Sequence, residues 1–60
     1  MKDLIILLED LDIDYTYNKK LSMVDFEHEG GVFNVVFEAG GVIMLNGNFV
    51  TYKELIYSIF

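Results

Sequence analysis

The chain has 60 residues, with ten Asp or Glu against four lysines, no arginine and no cysteine, for a formal net charge of −6. That balance repels phosphate backbones and anionic bilayers, which argues against direct nucleic-acid or membrane binding and favours a protein partner with a basic surface. Without cysteine there is no disulfide or thiolate metal site to support the small core of so short a domain, so a single domain over 1–60 must rely on dense packing or self-association. The longest apolar run, Leu4 to Leu8, is too short for a membrane span and lacks a signal-peptide cleavage pattern, so a cytoplasmic location is expected.

Residues 3 to 11 predict a helix, because Leu4, Leu7, Leu8 and Leu11 recur at helical spacing and Asp3 can cap the start. Ile6 points away from that stripe, among Lys2, Glu9 and Asp10. From Ile13 the period changes to two: Ile13, Tyr15 and Tyr17 alternate with Asp14, Thr16 and Asn18, as in a short strand, followed by a polar turn at Asn18-Lys19-Lys20. Residues 23 to 29 form a second strand, and Gly30-Gly31 a two-residue hairpin turn into a strand over 32 to 38. Gly40-Gly41 is read the same way before residues 42 to 45, and Asn46-Gly47 as a type I′ turn into Asn48 to Val50. In the final helix, Thr51 at the N-cap and Glu54 form a capping box, with Val50 and Leu55 at the staple positions and Tyr52, Leu55, Ile56 and Ile59 in one stripe.

The predicted fold is therefore α+β, an antiparallel β-meander of 3–5 short strands flanked by an N-terminal and a C-terminal helix. These turns pair Glu29 with Val32, Asp25 with Val36 and Phe37 with Met44. The core face then carries Val24, Phe26, His28, Phe33, Val35, Phe37, Ala39, Val42 and Met44. The opposite face mixes Asp25, Glu27, Glu29, Asn34 and Glu38 with Val32, Val36, Ile43 and Leu45. An apolar patch ringed by charge is a common mark of an interaction site.

Chemistry finds little footing. Asp10, Asp12 and Asp14 resemble the opening of an EF-hand loop, but Tyr15 stands where its glycine belongs and Leu21 where its bidentate Glu belongs, so no metal is expected. His28 is the sole histidine, and strand parity sends Glu27 and Glu29 to the other face; no triad can be completed around Ser22 or Ser58. The Gly-Gly pairs lack the Lys-Ser/Thr and following helix of a phosphate loop.

The reading is a non-enzymatic acidic protein-binding module without a cofactor, an inhibitor or decoy that occludes a basic, nucleic-acid-binding site on its partner. The expected contact residues are Asp25, Glu27, Glu29, Glu38, Val32, Val36 and Ile43, with Tyr17 and Tyr57 as aromatic contacts. Ile, Phe, Tyr, Asn and Lys are well represented while Arg, Pro, Cys and Trp are absent. That usage resembles, in style alone, the short acidic proteins with which bacteriophages disable host enzymes; it implies the host cytoplasm and assigns no residue a role. The alternative is a homo-oligomeric structural or assembly subunit, a homodimer for instance, in which Val32, Val36, Ile43 and Leu45 meet across a two-fold axis, with Ile6 as a further contact.

Overall fold

A computed structural model describes residues 2–60. The elements run α1 (Lys2–Asp10), β1 (Tyr15–Asn18), β2 (Met23–His28), β3 (Gly31–Glu38), a 3₁₀ turn (Ala39–Gly41), β4 (Val42–Leu45), β5 (Asn48–Val50) and α2 (Tyr52–Ile59). The strands form one antiparallel sheet in the order β1-β2-β3-β4-β5, so the α+β meander expected from the period changes is present with both helices flanking it.

Both helices pack on the same side of the sheet. Leu4 and Leu8 from α1 and Leu55 and Ile59 from α2 form one buried cluster with Val24, Phe26, Val35 and Ile43. Ile13, Tyr15, Phe33, Phe37, Leu45, Val50 and Ile56 pack around its margin. Every strand residue in this set lies on one face by parity, here called the inner face. No polar side chain is buried among the described residues. Leu11, expected in the α1 stripe, is exposed, because the helix ends at Asp10 and the chain turns through Asp12 at φ 57°. Asp3 lies inside the first turn of α1, where its charge favours the helix dipole.

Two registers differ from expectation, with different consequences. The β2–β3 hairpin turns on Glu29-Gly30, since His28 pairs with Gly31. Asp25 therefore opposes Asn34 and Glu27 opposes Val32. Both partners have moved by two residues, so every side chain keeps its face. The β3–β4 connection uses three residues, Ala39–Gly41, with Gly40 and Gly41 both at φ 80°. Only glycine enters that region without steric cost, and the pair spends both glycines inside one longer turn. Phe37 now pairs with Ile43 and Val36 with Met44. This odd-numbered shift exchanges the faces of β4: Ile43 and Leu45 turn inward, Val42 and Met44 outward.

The Asn46-Gly47 turn has both residues at positive φ, 49° and 86°, as a type I′ hairpin requires. The capping box on α2 is complete: the Thr51 Oγ1 accepts from the Glu54 N–H at 3.1 Å, and the Glu54 carboxylate accepts from the Thr51 N–H at 2.9 Å. The Thr51 backbone N–H, and secondly the Thr51 side chain, hold the Glu54 carboxyl below the usual carboxylate range.

Thr51→Ala is expected to cost about 1 kcal/mol in denaturant melts by leaving a helix N–H unpaired. Because the folded Glu54 pKa is lowered, its contribution is fully present above the ordinary glutamate pKa and is lost as pH falls through the folded value. A Glu54→Gln variant should thus lose its stability deficit in acid, which melts compared at neutral and acidic pH will check. Leu8 is fully buried, so Leu8→Ala should cost roughly 2–5 kcal/mol and leave a 60-residue domain largely unfolded at ambient temperature, read by amide NMR dispersion.

Candidate partner-binding surface

With both helices on the inner face, no element among the described residues covers the outer face, and none of its residues joins the core cluster. The registers arrange it in rows across the strands. One row is apolar apart from its first member: Asn18 pairs with Met23, Met23 with Val36, Val36 with Met44 and Met44 with Phe49. Met23, Val36 and Met44 are half-buried by their neighbours, while Phe49 on the edge strand is 72% exposed. The next row is polar: Thr16 pairs with Asp25 and Asp25 with Asn34. Asn34 Nδ2 donates to Asp25 Oδ1 at 2.7 Å, and its backbone N–H donates to Asn46 Oδ1 at 2.7 Å. A third row pairs Glu27 with Val32, which is 70% exposed, and Asp14 adjoins them around a shallow depression.

The residues singled out from sequence fall on several surfaces. Glu27, Val32, Val36 and Glu38 lie on the outer face as expected. Asp25 lies there too, half-buried and hydrogen-bonded to Asn34, so it is less available to a partner than its neighbours. Glu29 leaves the strand for the hairpin turn. Ile43 is 6% exposed in the core and is not a surface residue; the three-residue connection before β4 put it there. Tyr17 sits on the edge strand beside α1, lining a groove of about 510 Å³ with Lys2, Ile5, Ile6 and Glu9. Tyr57 is 88% exposed on α2, also away from the outer face. Sequence reasoning missed Met44 and Phe49. The Asn46-Gly47 turn sets Phe49 on the face opposite Leu45, so Phe49 turns outward only once the shift in β4 has turned Leu45 inward.

Charge is distributed end to end. The Glu29-Gly30 and Asn46-Gly47 turns mark one end of the sheet, the hairpin end. α1 finishes there, as shown by the Tyr15 hydroxyl donating to Glu9 Oε2 at 3.2 Å. α2 finishes there too, with the Phe60 ring 5.2 Å from that of His28. Glu9, Asp10, Asp12, Asp14, Glu27 and Glu29 therefore gather at this end. Desolvation first, and then the hydrogen bond and charge of Glu9, push the Tyr15 hydroxyl pKa upward. Lys2 and Lys53 stand in the first turns of their helices and Lys19 and Lys20 in the β1–β2 loop, so every lysine belongs to the opposite end.

Comparisons with protein-family models, curated proteins and solved structures find no match.

Glu29 occupies the first central position of its turn at φ 49°, with Gly30 at 79°. A side chain other than glycine, asparagine or aspartate is disfavoured there. Glu29→Asn should accordingly stabilise the fold by roughly 0.5–1 kcal/mol in denaturant melts. Glu29→Ala removes the same charge without the left-handed preference and should give less, which separates turn geometry from charge.

Proposed function

We propose that this chain is a non-enzymatic acidic binding module that docks its hairpin end on a basic, nucleic-acid-binding surface of a partner protein and occludes it. The observation that carries this reading is the gathering of Asp10, Asp12, Asp14, Glu27 and Glu29 at the end of the molecule farthest from its lysines. Crowded like charges destabilise a fold slightly, and the C-termini of both helices add partial negative charge at the same place. A cationic partner would offset that repulsion. Field lines from so concentrated a charge also speed encounter with a basic surface.

The test compares the wild-type chain with the variant Asp12→Asn, Asp14→Asn, Glu29→Gln, each immobilised and exposed to cell lysate. Wild type should capture basic proteins that elute as salt rises, and an added nucleic acid should compete for them. The variant should fold normally and lose those proteins. Equal capture by both chains at low salt, or capture of proteins without a basic surface, overturns the proposal.

A further inference from the structure

We propose that the outer face closes on a second copy of this chain, about a two-fold axis lying along the row Met23, Val36, Met44 and Phe49. The apolar row supplies the self-complementary centre that an isologous interface needs, since each of its residues then meets its own counterpart. Charge chooses the direction of the axis. A two-fold parallel to the strands would lay hairpin end on hairpin end, stacking carboxylate on carboxylate. A two-fold across the strands reverses strand direction but keeps each strand over its own counterpart. It sets the two hairpin ends at opposite extremes of the dimer.

The same rotation brings opposite charges together. Lys19 and Lys20 follow Asn18, the β1 end of the apolar row, on the side away from the hairpin end. Asp25 lies one row toward that end, about 6.6 Å from the axis along the strands, and Glu27 one row further. Rotation about the row carries the lysines of one copy over β1 and β2 of the other, toward the exposed Glu27 and toward Asp25, one of whose carboxylate oxygens is held by Asn34. These contacts occur twice by symmetry. Facing sheets pack about 10 Å apart, a gap that methionine and phenylalanine side chains fill. Five short strands offer on the order of 500 Å² per copy, small for a stable dimer, so association should depend on concentration. Glu27 is then shared with the second copy, while Asp10, Asp12, Asp14 and Glu29 take no part, so those carboxylates of each acidic end stay free and the dimer presents two such groups.

Sedimentation equilibrium on the full chain should show the mass doubling as concentration rises, and Phe49→Lys, at an exposed edge position, should remain monomeric at every concentration. The decisive arm uses two charge variants, Lys19→Glu with Lys20→Glu, and Asp25→Lys with Glu27→Lys, each checked for dispersed amide signals. Alone, each places like charges face to face and should be monomeric. Mixed in equal amounts they should form a heterodimer, because both contacts are then attractive. A wild-type chain that stays monomeric into the millimolar range overturns the proposal, as does a wild-type dimer whose two charge variants fail to associate on mixing. The Asp12→Asn, Asp14→Asn, Glu29→Gln variant should dimerise like wild type, so loss of partner capture and loss of self-association are read separately.

Discussion

The two helices cover only one side of the sheet, and this constraint shapes the rest of the described structure. Two helices of nine and eight residues supply Leu4, Leu8, Leu55 and Ile59, and all four are consumed in closing the inner face over Val24, Phe26, Val35 and Ile43. Among the described residues no further element packs against the other side. Met23, Val36 and Met44 are therefore shielded only by their neighbours across the strands, and Phe49 and Val32 by very little. A larger domain would bury such a row beneath a third layer. Here a small core and an uncovered apolar row have the same cause, and whatever covers the row adds burial that the two helices do not provide.

What could be read from sequence depended on whether a local rule had a unique solution. The α2 cap was legible because Thr51, Glu54, Val50 and Leu55 each occupy a position with one physical meaning. Asn46-Gly47 was legible for the same reason. Gly40-Gly41 was not, since two adjacent glycines satisfy a two-residue hairpin and a longer turn equally well. The strand that follows could not break the tie. Val42, Ile43, Met44 and Leu45 are all apolar, so either face can turn inward without exposing a charge or burying one. In β2 the alternation of Val24, Phe26 and His28 with Asp25 and Glu27 held the faces even though the turn itself was misplaced. The face of Asp25 and Glu27 was thus legible, though not that Glu29 belongs to the turn, while the apolar part of the surface depends on β4 and β5: Val36 lies on the outer face, Ile43 gives way to Met44, and Phe49 joins them.

The end-to-end charge pattern arises from topology that no local rule displays. In the sequence Asp10, Asp12 and Asp14 resemble only the opening of an incomplete EF-hand loop, and Glu27 and Glu29 read as the polar side of a strand. They meet because β1 begins where α1 ends and pairs with the part of β2 that leads into the hairpin. Helix stability alone would place the charges differently. Negative residues favour helix N-termini and positive ones C-termini, a rule that Asp3 and Glu54 follow. Glu9 and Asp10 break it at the C-terminal end of α1, and Lys2 and Lys53 break it in the first turns.

The two hairpins of the same end sharpen the contrast. Asn46-Gly47 is the residue pair that a type I′ turn prefers, and its asparagine also receives the Asn34 N–H and donates to the Val32 carbonyl at 3.3 Å. Glu29-Gly30 adopts the same kind of turn with a residue poorly suited to positive φ, and no hydrogen bond compensates at the glutamate side chain among those formed by the described residues. A chain whose total stability is on the order of a few kcal/mol has little margin for a turn residue that costs a fraction of one. Local rules are broken without compensation mainly where function asks for it. On that reasoning the carboxylate of Glu29, at the tip of the acidic end and clear of the apolar row, is the group to test first for the proposed contact with a basic partner.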